Sequence, residues 1–452
     1  MNDFLTTDFR AQPYWWDAAP LTTASASSLG SSYDAVIVGS GLTGLRAALT
    51  LLRAGRTVVV IESAEPGFGA SRRNAGFLGR VLKKSYLELK AAEGPEKAAA
   101  TYRELDEAYQ STLQFIADEG IECSADRCGR FVGATSTTHY DLFAKQLELM
   151  KRDLGFEFHM ISRSDQHKEM QTDAYVGGAV IPDSGSLHPG LYHKGLLERV
   201  VAAGGLVIDH CEVTRIQRDT SGQLVVTTNR GVTKAHDVVI ATNGYTPRHF
   251  KWHARRVIPF TGYMAATEEL PPDTLRQLLP MRRTVIDTNL NIDFFRPAPD
   301  SARLLFGGDT GSGVADITEI GKRLRSRLIR VLPSLSKVRF SHIWTGSCAG
   351  TFDMMPHVGG HDGIWFGLGY NFAGVPMGTH FGHKIGQQIL GLPEGRSVFQ
   401  TNRFPTFPLY DGRPWFVPYL MRAFDWQDRR MAARPTSKSA ARERSAVRDG
   451  HV

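Results

Sequence analysis

The sequence predicts an α/β fold in which a Rossmann-like dinucleotide-binding domain is interleaved with a smaller α+β domain on a mixed or antiparallel sheet. Three observations predict it. Residues 33–62 form one strand–glycine turn–helix–strand unit, residues 363–390 repeat strand, glycine turn and helix, and the chain between mixes short strands with helices. In the first unit, Asp34-Ala-Val-Ile-Val-Gly39 is a short, β-branched apolar run of the kind a buried parallel strand carries. It runs into Gly39-Ser-Gly41-Leu42-Thr43-Gly44, and Leu45 to Ala54 then follows helical spacing, with Gly55 at the C-cap. Thr57-Val-Val-Val-Ile61 is the second strand, and Glu62 and Ser63 follow it.

Each glycine has a task. Gly39 permits the tight turn, Gly41 lets backbone approach a pyrophosphate, and Gly44 lets helix and strand pack closely. The helix start turns its free N–H groups toward the phosphates. Seventeen residues separate Gly44 from Glu62, which places a carboxylate where a ribose hydroxyl pair would lie. An acid there disfavours a 2′-phosphate. The fingerprint alone serves NAD as well as FAD.

Further along, Ser85–Glu119, His139–Leu154, Leu191–Ala203 and Asp316–Val331 read as helices. Strands are expected at Gly177–Asp183, Gly205–Asp209, Glu212–Arg218, Gln223–Thr228, Asp237–Ala241, Val257–Thr267, Ile292–Arg296 and Arg303–Phe306. Gly363–Gly367 is a last strand, and Gly369 to Gly374 leads into a helix ending at Leu390. Nucleotide-type elements at both ends, with other material between, make the two domains discontinuous.

Composition narrows the function classes. With 452 residues, 42% hydrophobic and 22% charged, the chain is neither collagen-like, coiled-coil nor wholly disordered. Of the net charge of +7, the stretch Arg429–Val452 supplies +5, from seven basic residues against two acidic. That tail is expected to be disordered, and the near-neutral remainder argues against nucleic-acid binding. Four cysteines suit a reducing compartment, and Cys123 and Cys128 lack the partner pair a zinc site needs, so no metal is expected. No apolar run reaches the roughly 18 residues of a membrane span. The Met1–Pro20 segment has no secretory pattern. A cytoplasmic location is the expectation.

From these motifs onward the chain resembles the FAD-dependent oxidoreductases related to D-amino-acid oxidase, and within them the γ-glutamylputrescine oxidase group. The likeness spans about residues 13–425. It takes in Pro13-Tyr-Trp-Trp-Asp17, the fingerprint to Glu62, Gly69-Ala-Ser-Arg-Arg-Asn-Ala-Gly76 and Ser186-Leu-His-Pro189. It continues through Ile240-Ala-Thr-Asn-Gly244, Trp344-x-Gly346, Thr351-x-Asp353-x-x-Pro356-x-x-Gly359, Gly369–Val375 and Phe404–Trp415. The resemblance implies a Rossmann-like FAD-binding domain over 33–85, 140–250 and 341–400. A smaller α+β substrate-binding domain on a mixed/antiparallel sheet is then expected over 86–139 and 251–340. An N-terminal extension (1–32), a C-terminal extension (401–428) and the disordered basic tail (429–452) complete the chain.

The resemblance also implies roles. Gly69, Ala70, Ser71, Arg72, Arg73, Asn74, Ala75 and Gly76 wrap the flavin end of the cofactor, offering donors to phosphate and ring oxygens. Val213 matches the residue whose backbone meets the adenine, and Thr242 and Gly244 pass the adenosine half. Gly369, Tyr370, Asn371, Gly374 and Val375 run beneath the pyrimidine side, with a helix N-terminus aimed at the ring carbonyl. Arg73 stands where some relatives have a flavin-linking histidine. Cys348 lies five residues before Asp353, two short of the spacing in cysteine-linked sarcosine oxidases, so the FAD is expected to be non-covalent. Phe372 and Ala373 stand where relatives often have Gly-His.

The implied reaction is oxidation of the C–N bond of a primary or secondary amine, γ-glutamylputrescine-like or related, by hydride transfer to flavin N5, with oxygen or another acceptor reoxidising the flavin. An alkyl ammonium is protonated at pH 7 by roughly three units, about 4–5 kcal/mol, and a desolvated aromatic pocket removes much of that penalty without a dedicated base. Tyr263, Arg296, Trp344 and His357 are the candidates for the substrate side, Arg296 as a carboxylate clamp. The alternatives are a D-amino-acid or N-methyl-amino-acid oxidase or dehydrogenase, a flavin-binding protein without turnover of its own, and a NAD-dependent dehydrogenase.

Overall fold

The computed structural model describes residues 3–22, 28–400 and 403–432. The tail expected over 429–452 lies outside them except for its first four residues, which finish the helix Val417–Ala432 rather than a disordered segment.

The fingerprint strand Ser32–Val38 sits inside a sheet, with Val58–Ile61 and then Leu206–Ile208 parallel to it on one side and Gly231–Ile240 parallel on the other. Val36, Ile37, Val59 and Val60 are fully enclosed, which is why these strands read as continuous apolar runs. The hairpin Val213–Arg218/Leu224–Thr228 extends the sheet antiparallel, and Ile364–Leu368 joins parallel to the end of Gly231–Ile240.

Two helices leave this sheet toward the same place. Leu42–Arg53 follows the fingerprint, and Gly374–Ile389 follows the second glycine turn. Gly378, Gly382 and Gly386, one turn apart, form a smooth stripe against the first helix. A Cβ at Gly382 would lie 2.4 Å from the Thr43 carbonyl oxygen, and one at Gly386 would lie 2.6 Å from Thr50 Cβ. The stripe therefore sets the two helix N-termini side by side. Gly382→Ala is expected to force the helices apart, at about 1–3 kcal/mol as overpacked cores show. Thermal melting and the flavin retained on purification would check it.

Among the described residues the second sheet has nine strands. Its order is Leu5–Arg10, Phe340–Gly350, Ile258–Thr267, Leu304–Gly308, Phe294–Pro297, Thr284–Asp287, Arg130–Gly133, Gly178–Ile181 and His159–Ile161. Ile317–Val331 lays Ile320, Leu324, Leu328 and Val331 on its core beside Phe295, Phe306 and Phe340, and Asp316 caps that helix by accepting from Glu319 N at 2.8 Å.

This membership departs from the expected boundaries. The strands His159–Ile161, Gly178–Ile181 and most of Phe340–Gly350 fall in stretches expected to belong to the FAD-binding domain, yet all pair in the nine-stranded sheet. The N-terminal extension adds the edge strand Leu5–Arg10, parallel to Phe340–Gly350. Conversely, the helical stretch after Ser85, broken at Gly94 (φ +87°), packs with the nucleotide-side core. Its Tyr102, Leu105 and Tyr109 share that core with Leu45 and Leu49 of the fingerprint helix.

Candidate active site

Between the two sheets lies a cavity of about 450 Å³. One end is lined by Gly39, Gly41, Leu42, Thr43, Glu62, Ser63, Val213 and Thr242. Its middle is lined by Gly69, Ala70, Ser71, Arg73, Asn74 and Ala75, and by Tyr370, Asn371, Gly374 and Val375 from the second glycine turn. The far wall belongs to the nine-stranded sheet and the segment before it, with Phe77, Val81, Arg130, Tyr263, Met264, Ile286, Ile292 and Phe294.

The fingerprint glycines are required by contact. Gly39 has φ +104°, and a Cβ at Gly44 would fall 2.0 Å from the Gly39 carbonyl oxygen. Gly41, at the helix start, has an extended conformation and no side-chain cap, so the first N–H groups are left to the cavity. One of them, Leu42 N, donates to Ser71 Oγ at 3.0 Å, tying the turn to the loop Gly69–Gly76. Glu62 holds the turn from the other side. Its Oε2 accepts from Ser40 N (2.9 Å) and Ser40 Oγ (2.7 Å), and Oε1 accepts from Ser63 N (2.8 Å).

The loop Gly69–Gly76 is held by the carbonyls of its second half, three of them bonded by a buried side chain from elsewhere. Trp344 Nε1 donates to Arg73 O (2.9 Å), Trp15 Nε1 to Asn74 O (2.8 Å) and Arg296 Nη1 to Ala75 O (2.9 Å). Leu187 N donates to Gly76 O at 2.8 Å. Inside the loop, Asn74 Oδ1 accepts from Gly76 N at 2.7 Å. The second glycine turn has Asn371 (φ +46°) and Phe372 (φ +78°) in succession in the left-handed region, strain of order 1–3 kcal/mol per residue. Asn371 Nδ2 donates to Gly369 O (2.6 Å) and Thr351 Oγ1 (3.2 Å), which fixes the turn. Phe372 is half-exposed, its ring 5.1 Å from that of Phe260.

Several expected site residues do other work. Arg296 is 3% exposed and does not line the cavity: Nη1 also donates to Leu187 O (2.7 Å), and Nε to Pro297 O (3.2 Å). It is a clamp on backbone, not on a substrate carboxylate. Trp344 lies behind the loop in a cluster with Tyr14, Trp15 and Met264. His357 is buried away from the cavity, bonded to Asp353 at 3.1 Å and stacked on Phe404 with ring centres 4.1 Å apart. Tyr263 does line the cavity, with its hydroxyl donating to Val314 O at 2.8 Å.

Among the cofactor residues, Arg72 turns inward instead, donating to the carbonyls of Ala19 and Pro20, and burial pulls its pKa down to about 10. Gly44, Gly76, Gly244 and Gly369 stand behind the walls, where close packing demands them. A Cβ at Gly244 would sit 2.5 Å from Cys348 O, and one at Gly369 would sit 2.2 Å from Thr351 Cγ2. Trp15, Arg130, Phe77 and Phe294 were not singled out as site residues. A hydrogen-bonding Trp far in sequence from its partner leaves no local signal, whereas a lone Arg in the run Gly129-Arg-Phe-Val-Gly133 is one that periodicity could have flagged.

The glycine turn, the Glu62 carboxylate and two helix starts without side-chain caps around one cavity fit FAD. Cys348 lines that cavity, and desolvation pushes its thiol up to about 11, which leaves little thiolate to form a bond. Flavin is therefore expected to leave with the supernatant when the holoprotein is acid-precipitated. Among the described residues no cluster of three or more His, Cys, Asp or Glu is placed to hold a metal, and no helix is long and apolar enough to cross a membrane.

Residues 34–388 match the family model for FAD dependent oxidoreductases, and the chain belongs to that family. It is 29% identical over 403 residues to gamma-glutamylputrescine oxidoreductase of Escherichia coli K12, covering 89% of this chain and 92% of that one. The solved glycine oxidase of Geobacillus kaustophilus superposes with a TM-score of 0.69 at 21% identity, over 84% of this chain and 99% of that one. L-proline dehydrogenase from P. horikoshii gives a TM-score of 0.68 at 16% identity, over 87% and 99%. The resemblance seen in the sequence is thus borne out, as are FAD as cofactor and the mixed α/β fold.

Proposed function

We propose that this protein oxidises the C–N bond of a primary or secondary amine. The carrying observation is the far wall of the cavity. Phe77, Val81, Tyr263, Ile286, Ile292 and Phe294 make it apolar apart from the cation Arg130, and among the described residues there it has no Asp, Glu, His or Lys. Such a wall favours the neutral amine over the ammonium, so the nitrogen lone pair is free without a side chain acting as base. FAD held by the fingerprint turn, Glu62 and the loop Gly69–Gly76 would supply the two-electron oxidant for this chemistry. The helix start at Gly374, without a side-chain cap, would offer positive potential to a flavin bound in the cavity. The 29%-identical relative named for an amine substrate supports the same reading.

The test is anaerobic. Purified protein is mixed with putrescine derivatives, N-methyl amino acids and D-amino acids while absorbance near 450 nm is followed. Bleaching by an amine class is expected, and its return on admitting air identifies oxygen as the acceptor. A yellow protein that no amine bleaches defeats the reading.

A further inference from the structure

We propose that the outer face of the C-terminal helix Val417–Ala432 docks on an anionic lipid bilayer, lying on its surface rather than crossing it. The inference is independent of the reaction. The helix sorts its residues by face. Val417, Met421 and Asp428 recur at helical spacing on the inner side. A Cβ on Gly311 would lie 2.8 Å from Met421 Cγ and 3.0 Å from Val417 Cγ1, so the helix closes tightly there. Both acids of the helix serve this side. Asp428 accepts from Leu290 N at 3.0 Å and Asn291 N at 3.4 Å, and Asp425 accepts from Asn291 Nδ2 at 3.2 Å. Leu290–Asn291 and Gly311 adjoin Ile292 and Thr310, which line the cavity, so the helix braces two loops that contribute to it.

The opposite side holds no acid. Tyr419, Leu420 and Trp426 are exposed there, Tyr419 by 66% and Trp426 by 52%, together with Arg422, Arg429 and Arg430. Tyr419, Trp426 and Arg430 share one stripe of the helix. The Arg430 guanidinium carbon stands 3.7 Å from the Trp426 ring centre and that of Arg422 6.0 Å from Tyr419, so cations and aromatic rings are presented together. Among the described residues, none of these three arginines has a carboxylate within ion-pair distance. The segment leading into the helix bares Phe407, Leu409 and Trp415 as well. Past the helix, residues 433–452 carry five basic residues against two acidic. Exposed Trp and Tyr among arginines, with the acids turned inward, complement a surface that is apolar beneath and negatively charged on top. A second copy meeting the same face would set these arginines against their own kind. A nucleic acid would engage the arginines and leave Phe407, Leu409 and Leu420 in water.

The experiment sediments full-length holoprotein with vesicles of phosphatidylcholine alone, and with vesicles of phosphatidylcholine and phosphatidylglycerol in equal parts. Flavin in the pellet reads the bound fraction. Affinity for the anionic vesicles is expected to exceed that for the neutral ones about tenfold or more, and to weaken as salt rises. Tyr419→Ser with Trp426→Ser is expected to lower affinity about tenfold. Arg422→Gln, Arg429→Gln and Arg430→Gln together are expected to reduce the preference for anionic lipid by a similar factor. Both variants keep the inner face, so their flavin content and melting temperature should match wild type. A second readout uses brominated acyl chains, which should quench wild-type tryptophan emission and lose most of that effect in Trp415→Phe with Trp426→Phe. Wild type left in the supernatant with anionic vesicles overturns the proposal, as does binding that neither outer-face variant weakens. Self-association that Tyr419→Ser with Trp426→Ser abolishes, without vesicle binding, would give the face to a second copy. Retention on duplex DNA but not on vesicles would give the arginines to nucleic acid, and either result overturns the lipid assignment.

Discussion

Glu62→Ala is expected to leave purified protein with less than a tenth of the flavin that wild type retains. The carboxylate ends the strand Val58–Ile61 and lines the cavity, where a ribose would present hydroxyl donors. It also accepts from Ser40 N and Ser40 Oγ, and Ser40 is fully enclosed, so truncation frees buried donors in the phosphate turn itself. Hydrogen bonds to a charged group are worth about 1.5–3 kcal/mol each, and about 1.4 kcal/mol is tenfold in affinity. Glu62→Gln keeps an acceptor and should hold more flavin than the alanine variant. The ratio of absorbance at 450 nm to that at 280 nm reads both. Full occupancy in Glu62→Ala would place the ribose elsewhere.

The second large effect is expected at Arg296, and it is not the one the sequence suggested. Read as a carboxylate clamp, Arg296→Ala should raise KM for acids and little else. Read from its bonds, it should destabilise the protein. The carbonyls of Ala75, Leu187 and Pro297 each lose a donor in a buried site. At about 1–3 kcal/mol per orphaned group, the loss is roughly 3–9 kcal/mol, and the melting temperature should fall on the order of 10 °C or more. Flavin retention should fall with it, because Ala75 belongs to the loop that lines the cavity. An unchanged melting curve with KM raised only for acids would return Arg296 to the substrate side.

The contrast between Arg296 and Arg130 shows what the sequence can and cannot carry. Alternation along Ile292–Arg296 correctly puts Phe294 and Arg296 on one face, and Phe294 does line the cavity. Two residues further along, the same face has passed beneath the loop at Ala75, and no local pattern records that crossing. Arg130 sits on a four-residue strand whose parallel partner, Thr284–Asp287, is about 150 residues away. Pairing between strands tens of residues apart is what draws His159–Ile161, Gly178–Ile181 and Phe340–Gly350 into the nine-stranded sheet. The fingerprint, by contrast, was legible because strand, glycines, helix and acid all act on one another within 30 residues. Helix limits came close for the same reason: Ile317–Val331 has its Asp316 cap and its apolar spacing within its own sequence.

Oxidation of a carbon–nitrogen bond in this cavity is tested most directly by product stoichiometry in a single anaerobic turnover. The holoprotein is mixed with an excess of the amine that bleaches it, quenched, and assayed for carbonyl product and released amine or ammonia. One carbonyl and one released nitrogen compound per flavin reduced is the predicted result, since an imine formed on oxidation hydrolyses to both. Bleaching with no carbonyl formed, or with the carbon–nitrogen bond of the substrate intact, would contradict it.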